Sequence, residues 1–438
     1  MNATRRQPAT SRYRHVPRID VHLWGTHMGS AVLDPAYGYY VFAYTEAFAG
    51  LGIEPSPLHM PARAGVSYIF PDLSRLTYKG LPALLSDALP DDFGNALINA
   101  YMADKGIPAQ AVSSLDRLAY MGTRAMGAMS FRPSRGPATQ KPFAIEIGSL
   151  VEQARRAVEG AIDDGGHAHS ALRNLIEVGT SAGGARAKAV IAWNPLTQDI
   201  RSGQLDAPDG FEHWLLKFDG LGKDRELGVS QGYGRIEYAY HLMARAAGLD
   251  MMPCRLLEEG GRAHFMTRRF DREGGSTRHH MQTLCALAHL DYKLKSAHAY
   301  AQLFDTVRRL QLPYEALEES FRRMAFNVMG RNCDDHTKNF SMRLRQGKSW
   351  ELAPAYDVTF AHNPDGEWTH QHLMSVNGKF KDITRDDLLM EARRFGVGTA
   401  DSVLKQVRDA VAQWPVFAAE AGVAPAQVAE IRALQRPL

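Results

Sequence analysis

"GRNCDDHTKNFSM", Gly330 to Met342, closes an apolar segment, "FRRMAFNVMG" (Phe321–Gly330), with two acids, a histidine, a lysine and an asparagine between positions 334 and 339. Two readings are open. The stretch is a solvated polar turn at the end of a helix, or it is the working end of an active site. The segments around it have to decide.

Downstream of Asp271 the chain is helical in pattern. "MQTLCALAHL", "AYAQLFDTVRRLQL", "YEALEESFRRMAFNVMG", "RDDLLMEARRFG" and "DSVLKQVRDAVAQW" carry helical periodicity. Upstream, from Phe143 to about Phe270, strands and one helix alternate. "KAVIAWN", "HWLLKFDG", "CRLLEE" and "AHFMTRRF" read as strands, the last two joined by the Gly260-Gly261 turn. "GRIEYAYHLMARAAGL" reads as a helix stopped by Gly248, with Ile236, Tyr240, Met243, Ala244 and Ala247 on one face. That predicts a small, mostly antiparallel sheet with one helix packed on it. Before it, "SRGPATQKP" (Ser134–Pro142) is a polar Gly/Pro linker, and residues 19–133 mix short strands such as "DVHLWG" and "YVFAYT" with loops and a helix ending at Gly106. The expected organisation is a basic, disordered arm over 1–18, an N-terminal β-rich subdomain over 19–133, a linker over 134–142, a sheet-rich lobe over 143–271 and a helical lobe over 272–438. The fold class is α+β and two-lobed, with room for a ligand in the cleft between the lobes.

The bulk numbers set limits. A chain of 438 residues exceeds one core. A hydrophobic share of 45% and a charged share of 23% are ordinary globular values. A net charge of +3 is too weak to imply nucleic-acid binding by the whole protein. Arg5, Arg6, Arg12, Arg14 and Arg18 concentrate the excess at the N-terminus. Cys254, Cys285 and Cys333 form neither a disulfide framework nor a zinc motif and fit a reducing cytosol. The N-terminus lacks the apolar core of a signal peptide, and no apolar run approaches the roughly 18 residues of a membrane helix, so a cytoplasmic, membrane-free protein is expected.

Four pieces bear on chemistry. Asp334 and Asn339 are five residues apart, the interval between the base and the metal-binding amide of a protein-kinase catalytic loop. One carboxylate there accepts the proton of an attacking hydroxyl, and one amide oxygen holds magnesium. In "LAPAYDVT", 18 residues beyond Asn339, Asp357 follows an apolar run; it is a second magnesium ligand or an ordinary salt-bridged acid. "VGTSAGGARAKAVIAW" (Val178–Trp193) leads a Ser-Gly-Gly-Ala run into a strand. It is a phosphate-approaching loop or a flexible hairpin. It is not a Walker A loop, since Ala185 and Arg186 follow Gly184 in place of Lys and Ser/Thr. Lys217 sits inside the apolar strand "HWLLKFDG", as a partner of nucleotide phosphates or as a snorkelling edge lysine. Each piece alone is modest. Together they stand in the order that kinases use: glycine-rich loop, strand lysine, Asp with Asn, metal Asp.

"SAGGARAK", "LLKF", "RRFDR", "NCDDHTKN" and "APAYDV" resemble the HipA-type serine/threonine kinases, the toxin halves of bacterial type II toxin–antitoxin pairs. "LLSDALPDDFGNALI" and "YMGTRAMGAMSFRP" resemble that family's N-terminal subdomain, so the similarity runs from about residue 20 to 430. The resemblance implies a protein-kinase-like fold, ATP and Mg²⁺ as cofactors, and particular roles. Asp334 would be the catalytic base. Asn339 and Asp357 would hold magnesium, and Lys217 would touch the phosphates. Gly183, Gly184, Ala185, Arg186, Ala187 and Lys188 would wrap the triphosphate. Arg268, Arg269 and Phe270 would fall at the adenine hinge, with His336 and Tyr356 near the nucleotide. Ser181 stands where family members autophosphorylate. Ala187 departs from the Pro of many relatives, which leaves the stiffness of that loop in question. The implied partners are a small helix-turn-helix antitoxin (HipB-like), operator DNA through it, and a protein substrate such as an aminoacyl-tRNA synthetase. Two other classes stay open: a catalytically silent corepressor bound to the antitoxin on operator DNA, and a small-molecule kinase acting on a sugar or an aminoglycoside.

Overall fold

The computed structural model describes residues 13–90, 92–137, 144–158, 175, 178, 187–220, 223–224, 228–229 and 232–438. Of the basic arm expected over 1–18, residues 1–12 lie outside that set. The rest is tied down. Asp116 accepts from the Val16 backbone N–H at 2.9 Å, the Tyr13 hydroxyl at 3.0 Å and the His15 ring at 2.7 Å, and the first strand begins at Arg18.

Strands Arg18–Leu23 and Tyr39–Tyr44 alternate inward and outward, burying Ile19, Val21 and Leu23 on one and Tyr40, Phe42 and Tyr44 on the other. With Thr26–Asp34, Ser67–Tyr68 and Met129–Arg132 they form a five-stranded antiparallel sheet, in which Arg18–Leu23 pairs with both Thr26–Asp34 and Met129–Arg132. Helix Ser114–Met121 packs on it, opened by a capping box between Ser113 and Asp116.

A second five-stranded antiparallel sheet runs Cys254–Glu259, Arg262–Arg268, Glu212–Lys217, Lys188–Trp193, Ile200–Ser202. Lys188–Trp193 is buried along its whole length, the five residues after Lys188 being apolar. Helix Tyr233–Ala246 lies against strand Arg262–Arg268. The approach is close at Gly234, where a Cβ would stand 2.0 Å from the Ala263 carbonyl oxygen.

The helical lobe holds Tyr300–Arg309, Tyr314–Gly330, Arg385–Phe395, Ala400–Ala412, Trp414–Glu420 and Pro425–Leu434. One expected helix differs. "MQTLCALAHL" splits: Met281 to Thr283 belong to strand His280–Thr283, and only Leu284–Leu287 forms a helical turn, capped by the Thr283 side chain. The cause is tertiary, because that strand pairs with Ser341–Leu344 just past the acid-rich stretch, and Ser341–Leu344 pairs in turn with Trp350–Leu352.

The apolar cores do not follow the lobes. The N-terminal sheet shares one core with the second sheet through Trp214, Leu216 and Met266. Helix Tyr233–Ala246 belongs to the core of the helical lobe. The fold is thus α+β and kinase-like in plan: a sheet-rich lobe, a helical lobe and an N-terminal β-rich subdomain fused to the first.

Candidate active site

Helix Tyr314–Gly330 ends at Arg331, which takes a left-handed φ of 58° and returns its N–H to the Asn327 carbonyl. That turn throws Asn332 to Asn339 across the end of the helix. Strand Ser341–Leu344 then anchors the far side, and Asp357 arrives after the paired strand Trp350–Leu352.

Within the loop, Asp334 is exposed on 49% of its side chain, and its carboxylate lies 3.7 Å from His336 Nε2. Asn339 donates from Nδ2 to the Asp334 carbonyl at 2.7 Å, which leaves its amide oxygen on offer to a cation. Asp335 is fully buried and accepts from the Tyr300 hydroxyl at 2.8 Å, His372 Nδ1 at 2.8 Å and the Leu373 N–H at 2.7 Å. So the two neighbouring acids have opposite environments. One is half-exposed, and the other is built into the core.

Lys217 Nζ donates to Asp357 and, at 2.5 Å, to Glu237 Oε1 on helix Tyr233–Ala246. Burial works against the Lys217 charge, but the Asp357 and Glu237 carboxylates more than offset it and raise the ammonium's pKa. Burial likewise pushes Asp357 up, and Lys217 and then Lys188 bring it below the usual carboxylate range. Lys188, opposite Lys217 in the sheet register, is buried. Asp357 itself sits at a left-handed φ of 51°, a conformation an Asp adopts at some cost.

The remaining expected residues divide. Tyr356 donates to the Lys338 carbonyl at 2.7 Å and stacks on Phe270, with ring centroids 5.7 Å apart, beside Asp357. Arg269 is buried, and its guanidinium is engaged by both Asp271 oxygens at 2.9 and 2.7 Å. Arg268 reaches Glu212 at 3.1 Å. Ala187 is buried and accepts from the Phe218 N–H. Ser181, Gly183, Gly184, Ala185 and Arg186 lie outside the described residues.

Glu237 was missed at the sequence level, although a signal existed. It is an acid beside Ile236 on a helix whose buried side is mostly apolar, and it is 2% exposed. Such a group needs a cation.

The donor set suits magnesium. Asn339 and Asp357 supply an amide and a carboxylate oxygen, and a magnesium ion bound by one or two protein oxygens completes its shell with water and phosphate. Among the described residues no cluster of three or more His, Cys, Asp or Glu forms a cage of its own.

A lysine paired with a helix glutamate, an Asp–Asn loop and a following Asp, set between a sheet lobe and a helical lobe, is an arrangement that phosphotransferases use. Residues 19–132 match the HipA N-terminal domain and residues 180–414 the HipA-like C-terminal domain, so the chain belongs to the HipA family. Among solved structures it is similar to the Shewanella oneidensis MR-1 toxin–antitoxin system HipA, solved with HipB and its operator DNA. The identity is 17% and the TM-score 0.64, covering 95% of this chain and 94% of that one. The Helicobacter pylori proinflammatory kinase CtkA is more distant, at 13% identity and a TM-score of 0.33, covering 57% of this chain and 93% of that one. No curated protein matches the sequence. Among the described residues no helix is long and apolar enough to cross a membrane.

Proposed function

We propose that this chain is an ATP- and Mg²⁺-dependent serine/threonine protein kinase of the HipA toxin type. The observation that carries the reading is Lys217 held between Glu237 and Asp357, the strand-lysine, helix-glutamate and metal-aspartate constellation of phosphoryl transfer. Bound magnesium would neutralise charge on the phosphates. Asn339 and Asp357 would hold it, and Lys217 would keep its tie to Glu237 while orienting the phosphates. Asp334, half-exposed at the loop tip, accepts the proton of the substrate hydroxyl, with His336 Nε2 3.7 Å from its carboxylate. Phe270 and Tyr356 flank the adenine side. Ser181 is the expected site of autophosphorylation. The outcome in the cell would be growth inhibition through a phosphorylated protein, an aminoacyl-tRNA synthetase being the family's precedent. A HipB-like antitoxin would restrain it, also on operator DNA.

The test is purified protein with labelled ATP and cell lysate. Asp334→Ala should abolish transfer while ATP still binds, whereas Asp357→Ala should weaken Mg-ATP binding. Wild-type turnover by Asp334→Ala would sink the assignment. Labelling of small molecules alone would favour the sugar or aminoglycoside reading, and no labelling at all the corepressor.

A further inference from the structure

The residues on either side of Asp334 are gripped by one imidazole. His372 donates from Nδ1 to Asp335 at 2.8 Å, and its Nε2 lies 3.8 Å from Cys333 Sγ. Each of those partners is braced again. Asp335 also takes the Tyr300 hydroxyl at 2.8 Å and the Leu373 N–H at 2.7 Å, and the Tyr300 oxygen accepts from Asn327 Nδ2 at 2.9 Å. Cys333 Sγ has a second ring 3.8 Å away, His362. That ring donates from Nδ1 to the Thr369 carbonyl at 2.9 Å and accepts at Nε2 from Arg331 at 2.5 Å. Cys333, Asp335, His362 and His372 are all buried, whereas Asp334 between them faces out.

We propose that His372 is a positioning residue for phosphoryl transfer, its two ring nitrogens clamping Cys333 and Asp335 and so fixing the backbone from which Asp334 projects. The inference rests on the kinase reading of Asp334. Residues Cys333 to His336 have no strand or helix of their own to hold them. A buried charged cluster adds little net stability over apolar packing. What it supplies here is direction, through hydrogen bonds at set angles on both neighbours of the base. A general base misplaced by about 1 Å loses on the order of 100-fold in rate. Burial lowers the His372 imidazolium, but Cys333 and Asp335 raise it to about 10. Burial raises the Cys333 thiol, and His372 and then His362 bring it to about 7. Both directions agree with a ring that donates at both ends.

Three variants separate the two grips. His372→Asn keeps an N–H near the place of Nδ1, His372→Gln keeps one near Nε2, and His372→Ala removes both. His372→Ala should lose about 100-fold in kcat with the KM for ATP unchanged, and His372→Asn should recover most of the loss, because the Asp335 bond holds the loop. Unchanged kcat in His372→Ala overturns the proposal, as does a KM for ATP that rises in step with the loss. A second readout is independent of activity. In ¹⁵N-histidine-labelled protein at neutral pH, the resonance missing from His372→Asn should show both ring nitrogens protonated. A neutral ring overturns the clamp. A doubly protonated ring in wild-type protein that transfers no phosphoryl group overturns the kinase reading alone.

Discussion

At the residue scale, the chemistry depends on which acids are exposed and which are paired. Glu237 accepts from Lys217 Nζ in a buried pair, so Glu237→Gln should leave a folded protein that is slower by about 100-fold, read as kcat/KM for ATP. Asp271 is different. It accepts from Arg269, from Arg272 and from the Gly127 N–H, all in a buried setting. Burial raises its carboxyl, and Arg269 and Arg272 bring it far below the usual range. The sign follows: its stabilising contribution is complete above the ordinary aspartate value, about 3.9, and is lost as pH falls through the lower folded value. Urea midpoints measured down an acid series should fall for wild type, and fall less steeply for Asp271→Asn. At neutral pH the same variant should be less stable by about 3–5 kcal/mol, because two buried guanidinium groups lose their counter-charge.

At the element scale, helix Tyr233–Ala246 carries Glu237 to Lys217, and the spacing between helix and strand sets that contact. Gly234 allows the spacing, since a Cβ there would meet backbone 2.0 Å away. Gly234→Ala must push the helix off strand Arg262–Arg268, at a cost of about 1–3 kcal/mol. The expected result is a lower melting temperature together with weaker ATP binding. Substitution at Gly260, where a Cβ meets nothing within 4 Å, is the control for melting alone, its cost being only that of a side chain at positive φ. The strand His280–Thr283 shows the converse. Its residues carry a helical pattern, yet pairing with Ser341–Leu344 draws them into a sheet, because inter-strand hydrogen bonds beside a buried loop outweigh a weak local preference.

At the scale of the whole molecule, the N-terminal subdomain is bonded to the kinase-like body at several points. Thr283 donates to Asp87 from its backbone N–H at 2.7 Å and its hydroxyl at 2.8 Å, and Thr77 donates to Asp291. His280 donates to the Pro55 carbonyl at 2.9 Å and Trp350 to the Glu54 carbonyl at 3.0 Å. The second sheet also shares its core with this subdomain. Removing residues 1–133 should therefore yield protein without cooperative unfolding by circular dichroism. A soluble, cooperatively folded 134–438 fragment would show that the shared core is dispensable.

What the sequence by itself determined is the set of groups that are local in the chain: the Asp334–Asn339 interval, the polar loop closing an apolar helix, the strand bearing Lys217, the alternation of strands before Asp271 and the helices after it. Each follows from periodicity or from the spacing of a few residues, and such signals survive without knowledge of neighbours. Tertiary structure alone decided the rest. Glu237 meets Lys217 across 20 residues, and Asp357 meets it across 140. His372 reaches Asp335 across 37 residues, and Asp87 meets Thr283 across 196. A carboxylate or an imidazole carries no mark of its partner in its own segment. Whether it is a solvated surface group, a catalytic base or a buried brace depends on which distant group removes water from it, and that is settled only when the chain closes on itself.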